Sequence, residues 1–371
     1  MKLTLTLILI VSVFSQLSAQ SVTAEYYTGY ETVNTSQFPL QEGFLTESGS
    51  SYQFGTDKRV TISSPVGLAV SDDLSMIGCL ESINGLEANI YNYKGKELLT
   101  TELEFVSPTD ETIGLTLLDN GDFIVRDNVA NFSFFDAKGD RAYTYSNSSQ
   151  ASRGEQTSEI AVSEDGVIKV AYNPVIRYQN SLGSRISIVT GDGEADQIFI
   201  SQNRVILSLA VSRKDHTVSV VTEGGNGSRK IHWFDRFGNL LYEMESELDV
   251  AGFNVTKDGK FITVFSGNRV QVYQRDSAER LGSASSRSTI LQAAYFPESN
   301  LIVALGGQEV NQQISNPEIT AVDLQRRQIE RVQLSESIMF RQRSHISIEN
   351  VQSNTYRIIG INRPIKVTAQ F

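Results

Sequence analysis

The chain has 371 residues, and its 43 acidic and 32 basic side chains leave a formal net charge of −11. Such a chain repels phosphate backbones, so the composition argues against nucleic-acid binding. The single cysteine, Cys79, excludes an internal disulfide and a zinc–thiolate site, and its apolar neighbours Met76 and Ile77 predict a buried, inert thiol.

The first 20 residues have the organisation of a secretory signal peptide. Lys2 supplies the positive charge, residues 3–14 are mostly apolar, and Ser18-Ala19-Gln20 is a zone suited to cleavage. An uncleaved N-terminal anchor is the alternative. No later stretch reaches the roughly 18 apolar residues of a membrane helix. We therefore predict an exported bacterial protein, periplasmic or secreted, without a membrane span.

Residues 21–57 have a different character from the rest of the chain. They are rich in Ser, Thr, Gly and Tyr and show little periodicity. The tyrosines argue against a plain flexible linker. We predict an extended N-terminal segment laid along the domain that follows.

A repeated phrase begins near residue 67 and returns at intervals of roughly 40 to 50 residues, the spacing of a repeat architecture. Each copy is a short apolar strand followed by a turn of the Asp, Gly and Asn type. The copies are GLAVSDDLS at 67, GLTLLDNGD at 114, EIAVSEDGV at 159, SLAVSRKDH at 208, GFNVTKDGK at 252, QAAYFPESN at 292 and HISIENVQSN at 345.

Each copy continues into further strands with alternating apolar and polar residues. Second strands include FIVRD at 123 and FITVF at 261, third strands include NIYNY at 89 and KIHWF at 230, and NLLYEME at 239 is a fourth. One such sheet exposes both faces, so the units must stack. Seven copies of four strands predict an all-β fold, a seven-bladed β-propeller over residues 58–371. An N-terminal strand should complete the last blade, and KRVTIS at 58–63 is the candidate for it.

The recurring AVSEDG phrase at 161–166 and the IHWFDRFG stretch at 231–238 resemble the WD40, YVTN and quinoprotein-like propeller superfamily. The resemblance covers roughly residues 58–371, and it implies the architecture without a specific activity. The Gly-His pair of WD40 units is missing, and Trp233 is the only tryptophan, so the tryptophan docking motif of quinoprotein blades is missing too. Bound quinone is therefore not expected.

Motifs for metal or nucleophilic chemistry are weak. His216, His232 and His345 are not clustered, and neither HExxH nor a Gly-x-Ser-x-Gly elbow is present. Asp192, Glu194 and Asp196 in one short loop could contribute to a calcium site, although the loop lacks the full pattern of a calcium-binding motif. Hairpin turns explain the same residues, so we predict no cofactor and no metal and keep calcium as the minor alternative.

A ligand should bind on the side of the propeller that carries the long loops. These loops are residues 146–158, 171–184, 222–228 and 306–318. Tyrosine and arginine are enriched in binding hot spots. Variable, solvated loops without a partner are the alternative. The candidate binding residues are Tyr172, Arg177, Tyr178 and Arg185, with Arg153 and Glu155 from the neighbouring connection.

Two functions from different classes follow from these features. The leading hypothesis is an exported, non-catalytic propeller that serves as a scaffold and binds a protein or glycan partner, as a monomer or as a subunit of an envelope complex. The alternative is a lactonase-like hydrolase or a lyase with its site at the central channel. Carboxylates or histidines converging on that channel would favour the enzyme.

Overall fold

The computed structural model describes residues 21–26, 36–71, 73–82, 85–104, 113–126, 131–146, 159–163, 165–178, 181–189, 191–212, 214–340 and 346–371. The predicted signal peptide lies outside these residues. The described residues form strands, turns and bends. Among them no helix has the length and hydropathy needed to cross a membrane.

The strands of the described residues form eight antiparallel sheets, here called blades 1 to 8 in chain order. Blade 1 contains β2 (Ser36–Pro39), β3 (Phe44–Ser48), β4 (Ser51–Phe54) and β5 (Val60–Ser63); blade 2 contains β6 (Gly67–Val70), β7 (Met76–Ser82), β8 (Leu86–Asn92) and β9 (Glu97–Glu102); blade 3 contains β10 (Gly114–Leu117), β11 (Phe123–Arg126), β12 (Asn131–Phe135) and β13 (Arg141–Ser146). Blade 4 contains β14 (Glu159–Val162), β15 (Lys169–Tyr178), β16 (Ser181–Val189) and β17 (Ala195–Ser201); blade 5 contains β18 (Arg204–Val211), β19 (Val218–Gly224), β20 (Arg229–Phe234) and β21 (Leu240–Glu245); blade 6 contains β22 (Gly252–Val255), β23 (Phe261–Ser266), β24 (Arg269–Gln274) and β25 (Glu279–Ser285). Blade 7 contains β26 (Ile290–Phe296), β27 (Leu301–Val310), β28 (Gln313–Asp323) and β29 (Gln328–Gln333), with β30 (Ile338–Met339) paired to β28; blade 8 contains β31 (Ser347–Gln352), β32 (Thr355–Ile359), β33 (Ile365–Gln370) and β1 (Ser21–Tyr26).

The core lies between the blades. Hydrophobic clusters of the described residues each combine side chains of two successive blades, from blades 1 and 2 through to blades 7 and 8. Trp233 of blade 5, for example, is fully buried against Ile262 and Val264 of blade 6. Cys79 is buried as expected, and burial, followed by Glu81 and Glu87, raises the pKa of its thiol to about 12. Each blade is thus stabilised by its neighbours rather than by itself.

The prediction of an all-β propeller whose last blade is completed by an N-terminal strand is confirmed. The predicted number of blades is wrong, because the described part of the chain already forms eight sheets instead of seven. The additional sheet is blade 1. Its strands have only four or five residues, and no Asp-Gly turn follows its first strand, so it escapes the repeat pattern.

The predicted closing strand is also wrong. Residues 60–63 are β5, the outer strand of blade 1. The strand that completes blade 8 is β1, whose residues Ser21 to Tyr26 pair antiparallel with Gln370 to Ile365 of β33. The segment 21–57 was predicted to be laid along the domain, but its described residues supply β1 and three strands of blade 1. Without β1, the second edge of β33 would be unpaired.

Side chains cap the short turns. In blade 5, Asp235 Oδ1 accepts the backbone N–H groups of Phe237 (2.8 Å) and Asn239 (2.9 Å) in the turn from the third to the fourth strand, and Gly238 takes a φ of 83°. Burial opposes ionisation of this carboxyl, but the hydrogen bonds outweigh it and hold the pKa of Asp235 below its usual value. The segment FDRFG at 234–238 is therefore a hairpin turn.

Candidate functional site

Every blade has two edges of different character. In an antiparallel blade, the first-to-second and third-to-fourth turns lie at one end of the strands, which we call the short-turn edge. The second-to-third turns and the connections between blades lie at the other end, the long-hairpin edge. Of the sequence-predicted binding residues, Tyr172, Arg177, Tyr178 and Arg185 lie on the two strands of the long hairpin of blade 4.

The predicted loop of blade 4 is a β-hairpin rather than an irregular loop. The strands β15 and β16 continue to its tip, where Arg177 pairs with Leu182 and Tyr178 with Ser181 along the backbone. The side chains of Arg177 and Tyr178 are not among those described, and Arg153 and Glu155 lie outside the described residues. These four assignments remain predictions.

Tyr172 and Arg185 do not converge. Asn173 pairs with Arg185, so Tyr172, one residue earlier on β15, projects from the opposite face of the hairpin. Arg185 donates through Nε and Nη2 to Asn173 Oδ1, at 3.2 Å and 3.0 Å. Tyr172 packs against the cluster between blades 4 and 5. Both side chains have structural contacts within the fold.

Tyr172 also lies beside an ion pair at the start of blade 4. Its backbone partner Glu159 forms a 3.0 Å ion pair with Arg126 of blade 3. Burial, followed by the charge of Glu159, raises the pKa of Tyr172 to about 12, and Arg126 opposes the shift. This phenol is therefore a neutral, packed group that helps to join two blades.

A second long hairpin, in blade 7, has a different construction. The strands β27 and β28 meet at a two-residue turn, where Asn311 and Gln312 have φ angles of 50° and 62°. Positive φ angles at both turn residues are typical of a tight two-residue hairpin turn, whose backbone twist matches that of the strands. The short strand β30 pairs with the tip of β28 through Met339 and Ile338, so the tip becomes a three-stranded sheet. We call this sheet the blade 7 extension (residues 308–315 and 338–339).

The blade 7 extension has one buried and one exposed face. Ile314 and Ile338 pair with each other and are both fully buried. Val310, Gln313 and Met339 form the next row, because Val310 pairs with Gln313 and Gln313 pairs with Met339. Val310 is 59% exposed and Met339 is 43% exposed. Two exposed apolar side chains thus lie on either side of Gln313 in one row of the sheet.

Blade 8 holds the extension in place. Met339 N donates to Asn362 Oδ1 at 2.9 Å, and Asn362 N donates back to the Met339 carbonyl at 2.7 Å. The neighbouring Arg363 forms a 3.2 Å ion pair with Glu336, and its guanidinium lies 4.6 Å from the ring of Tyr26 on β1. Asn362 and Arg363 of blade 8 therefore connect the blade 7 extension with the closing strand β1.

Tyr26 completes this junction through its hydroxyl, which donates to the carbonyl of Glu336 at 3.1 Å. Burial, followed by the charge of Glu336, raises the pKa of Tyr26 to about 12. The sequence offered one signal for this site, namely the long stretch 306–318, in which the apolar Val310 stands among polar residues. It offered none for Met339, Asn362 or Tyr26, which are far apart in the chain.

The strands expected to surround the central channel carry few charged side chains. On the first strands of the eight blades these are Glu159, Arg204 and Glu349. Glu159 pairs with Arg126, Glu349 forms a 2.9 Å pair with Arg357, and Arg204 donates to Thr222 Oγ1 at 2.8 Å. Each is thus occupied by a structural contact.

The loop considered for calcium acts as a turn in the described part of the chain, and so does the acidic segment at 136–140. Asp192 Oδ1 accepts the backbone N–H of Glu194 at 3.2 Å. Asp136 Oδ1 accepts from the backbone of Lys138 and Asp140, each at 2.9 Å. Among the described residues no group of three or more His, Cys, Asp or Glu side chains could hold a metal ion.

Fold, blade pairing and closure together define the chain as a β-propeller. No protein-family model matches the sequence, and no curated protein matches it in sequence. Among solved structures, the chain is similar to BamB from Moraxella catarrhalis, with a TM-score of 0.54, 12% identity, and coverage of 94% of this chain and 98% of that one. It is also similar to a eukaryotic initiation factor, with a TM-score of 0.52, 8% identity, and coverage of 83% and 90%. At these identities the likeness shows the fold alone.

Proposed function

We propose that the protein is an exported, non-catalytic propeller that binds a protein partner through the blade 7 extension. The observation that carries the proposal is the exposed row of Val310, Gln313 and Met339 above the buried pair Ile314 and Ile338. The extension adds a strand to blade 7, and it presents apolar side chains to solvent.

Physical reasons favour a binding role for this row. Exposed apolar side chains in one row of a sheet are typical of interaction sites, because burying them against a partner removes them from water and is favourable. Methionine adapts to the shape of a partner. Arg363 and Tyr26 at the side of the row are of the types enriched in hot spots. A glycan would call for stacking aromatic rings, so a protein is the better fit.

The first strands support binding rather than catalysis at the channel. The charged groups there, Glu159, Arg204 and Glu349, each make a structural contact. A general acid or base needs a titratable group within reach of a substrate. The binding role is therefore preferred to the hydrolase or lyase.

Site-specific photo-crosslinking in the producing cell tests the binding surface. A photoreactive residue replaces Val310 or Met339, and the controls are Leu98 and Leu281, which are 48% and 43% exposed on outer strands at the opposite edge. We expect protease-sensitive adducts at positions 310 and 339 and none at 98 and 281. Equal adducts at all four positions, or none at 310 and 339, would contradict the proposal.

A charge substitution gives the matched measurement. Met339→Glu should abolish the adduct formed at position 310, whereas Leu281→Glu should leave it unchanged, and both variants should melt within a few degrees of the wild type. Export is tested separately by mass spectrometry of the protein from the producing cell, which should show an N-terminus near Gln20. A full-length mass would refute cleavage.

A further inference from the structure

A small cleft opens at the short-turn edge of blade 3, beside blade 4. Its volume is about 90 Å³. The aromatic rings of Phe134 and Tyr143 line it together with Ala142, all from blade 3, and Lys169 of blade 4 lines it from the other side. The cleft lies at the opposite ends of the strands from the blade 7 extension.

Ala142 is the first feature that distinguishes this cleft from the same place in other blades. Phe134 pairs with Tyr143 and Phe135 pairs with Arg141, so Ala142 is the additional residue of a bulge in the fourth strand. The bulge recurs at this place in blades 2, 5 and 6, where the additional residues are Leu98, Leu241 and Leu281. The shorter side chain of Ala142 leaves space beside the stacked rings of Phe134 and Tyr143, whose centroids are 4.3 Å apart.

Lys169 is the second such feature. It pairs with Val162, the last residue of the first strand of blade 4. The residues at this position in blades 2, 3, 5, 6 and 7 are apolar and fully buried, namely Ile77, Phe123, Val218, Ile262 and Leu301. Two departures from the repeat, a small residue for leucine and a lysine for an apolar residue, therefore meet in one cleft.

The cleft contains hydrogen-bond donors that the fold does not use. Lys169 Nζ lies 5.8 Å from the centroid of the Phe134 ring and donates to the Gly166 carbonyl at 2.7 Å, and its other N–H groups have no partner among the described residues. The hydroxyl of Tyr143 is buried and also has no partner in the described part of the chain. Burial, followed by the charge of Asp192, raises the pKa of Tyr143 to about 12, so the phenol keeps its proton. A ligand here should offer an acceptor.

The charges around the cleft select a neutral acceptor. Asp122 and Asp136 line it, and Asp165 and Asp192 are close enough to act on its lysine and tyrosine. An anionic ligand would therefore meet four carboxylates around one ammonium group. A cationic ammonium group would offer no acceptor for Lys169. A carbonyl oxygen of an amide avoids both conflicts.

We propose that this cleft binds a leucine side chain of a partner protein, with a backbone carbonyl of the partner accepting a hydrogen bond from Lys169. The leucines at the same bulge in blades 2, 5 and 6 show which side chain this place in the repeat accommodates. An apolar cavity of about 150 Å³ holds a benzene molecule, so about 90 Å³ suits a smaller branched chain. A peptide is the chemical class that places an aliphatic side chain next to a neutral carbonyl.

NMR titration of the full propeller with N-acetyl-leucine amide tests the proposal. The methyl group of Ile124, which lines the cleft, is the reporter. We expect a saturable shift with this probe and none with N-acetyl-glycine amide, which lacks the side chain. N-acetyl-leucine carries a negative charge and leucine amide a positive one, and each should bind about tenfold more weakly or less.

Three variants separate the side-chain pocket from the hydrogen bond. Ala142→Leu fills the cleft with the residue of the other blades and should abolish the shift without lowering the melting temperature. Lys169→Met keeps an apolar side chain as in the other blades and should weaken binding about tenfold. The matched control is Lys138→Met, which removes the same charge from an exposed turn residue of blade 3 outside the cleft and should bind as the wild type does.

Three results would overturn the proposal. One is unchanged binding of N-acetyl-leucine amide in Ala142→Leu. Another is binding of N-acetyl-leucine that exceeds that of the amide and is lost in Lys169→Met, since this would assign the cleft to a carboxylate ligand. The third is the absence of a saturable shift with N-acetyl-leucine amide up to its solubility. None of these results depends on the blade 7 extension.

Discussion

His232 should make the stability of the propeller sensitive to acid. The side chain is 2% exposed, its Nε2 lies 2.9 Å from Thr222 Oγ1, and its Nδ1 lies 3.1 Å from Glu243 Oε2. The same place in the third strand of blades 2 and 6 holds Asn89 and Gln271, which are also buried. The repeat thus accommodates a neutral polar residue at this point, and His232→Gln is the natural substitution.

The size of the expected loss of stability in acid follows from the pKa of His232. Burial, working against the attraction of Glu243, lowers this pKa from 6.5 to about 4. In the unfolded chain the imidazole takes up its proton near pH 6.5, whereas in the folded protein it does so only near pH 4. Between these values the unfolded state binds more protons, so the free energy of unfolding decreases as the pH falls. At about 1.4 kcal/mol per pKa unit, the loss reaches about 3 kcal/mol.

Urea unfolding of the wild type and of His232→Gln at a series of pH values between 7 and 4 measures this loss. Carboxyl groups such as Asp165 and Asp215, whose pKa values lie below the usual range, affect both proteins alike and cancel in the difference. The wild type should lose about 3 kcal/mol relative to the variant over this range. Parallel curves, or an NMR titration that places the pKa of His232 at 6.5 or above, would refute the reasoning.

Three further predictions concern turns and closure. Gly259→Ala should lower the free energy of unfolding by about 1–3 kcal/mol, because the site is crowded and its φ is 66°. Gly267→Ala should lower it by about 1 kcal/mol or less, because Gly267 has a φ of 54° but open space around it. Urea unfolding of the two variants compares these losses. Asp235→Ala should lower the free energy of unfolding by about 1–2 kcal/mol, because the hydrogen bonds of the turn are lost. Asp235→Asn should be nearly neutral, because Asn92 makes the same hydrogen bonds in blade 2. Equal losses of stability in the thermal melts of the two variants would count against this account. Deletion of residues 364–371 removes β33, the partner of both β1 and β32, and should abolish the cooperative melt of the soluble protein; an unchanged midpoint by calorimetry would disprove the closure.

Much of the individual blade could be predicted from the sequence. The alternation in KIHWF and the Asp235 turn depend on contacts within a few residues, so their pattern is visible in the chain itself. The same holds for the first-to-second turns. In these turns a Ser or Thr is followed two or three residues later by an Asp, and the two side chains form a hydrogen bond, as Ser163 and Asp165 do. Burial of Cys79 followed from its apolar neighbours in the same way.

The candidate site was harder to predict. Long segments in blades 4 and 7 were both visible as interruptions of the repeat, but nothing in their composition showed that both are hairpins. The preference for Tyr172 and Arg185 rested on residue type, and the structure places them on opposite faces with partners of their own. The row of Val310 and Met339 depends on a pairing between β28 and β30 that crosses more than 20 residues of chain.

The sequence by itself determined the class of fold, the four-stranded unit and the chemistry of its turns, because these depend on neighbours in the chain. Only the tertiary structure decided the number of blades and the way the ring closes. The pairing of Ser21–Tyr26 with Ile365–Gln370 joins the two ends of the described chain, and no local pattern distinguishes β1 from the other short strands that could fill the same edge. Which strand closes a propeller is settled by hydrogen bonding and packing against the last blade, and those contacts exist only once the other blades are in place.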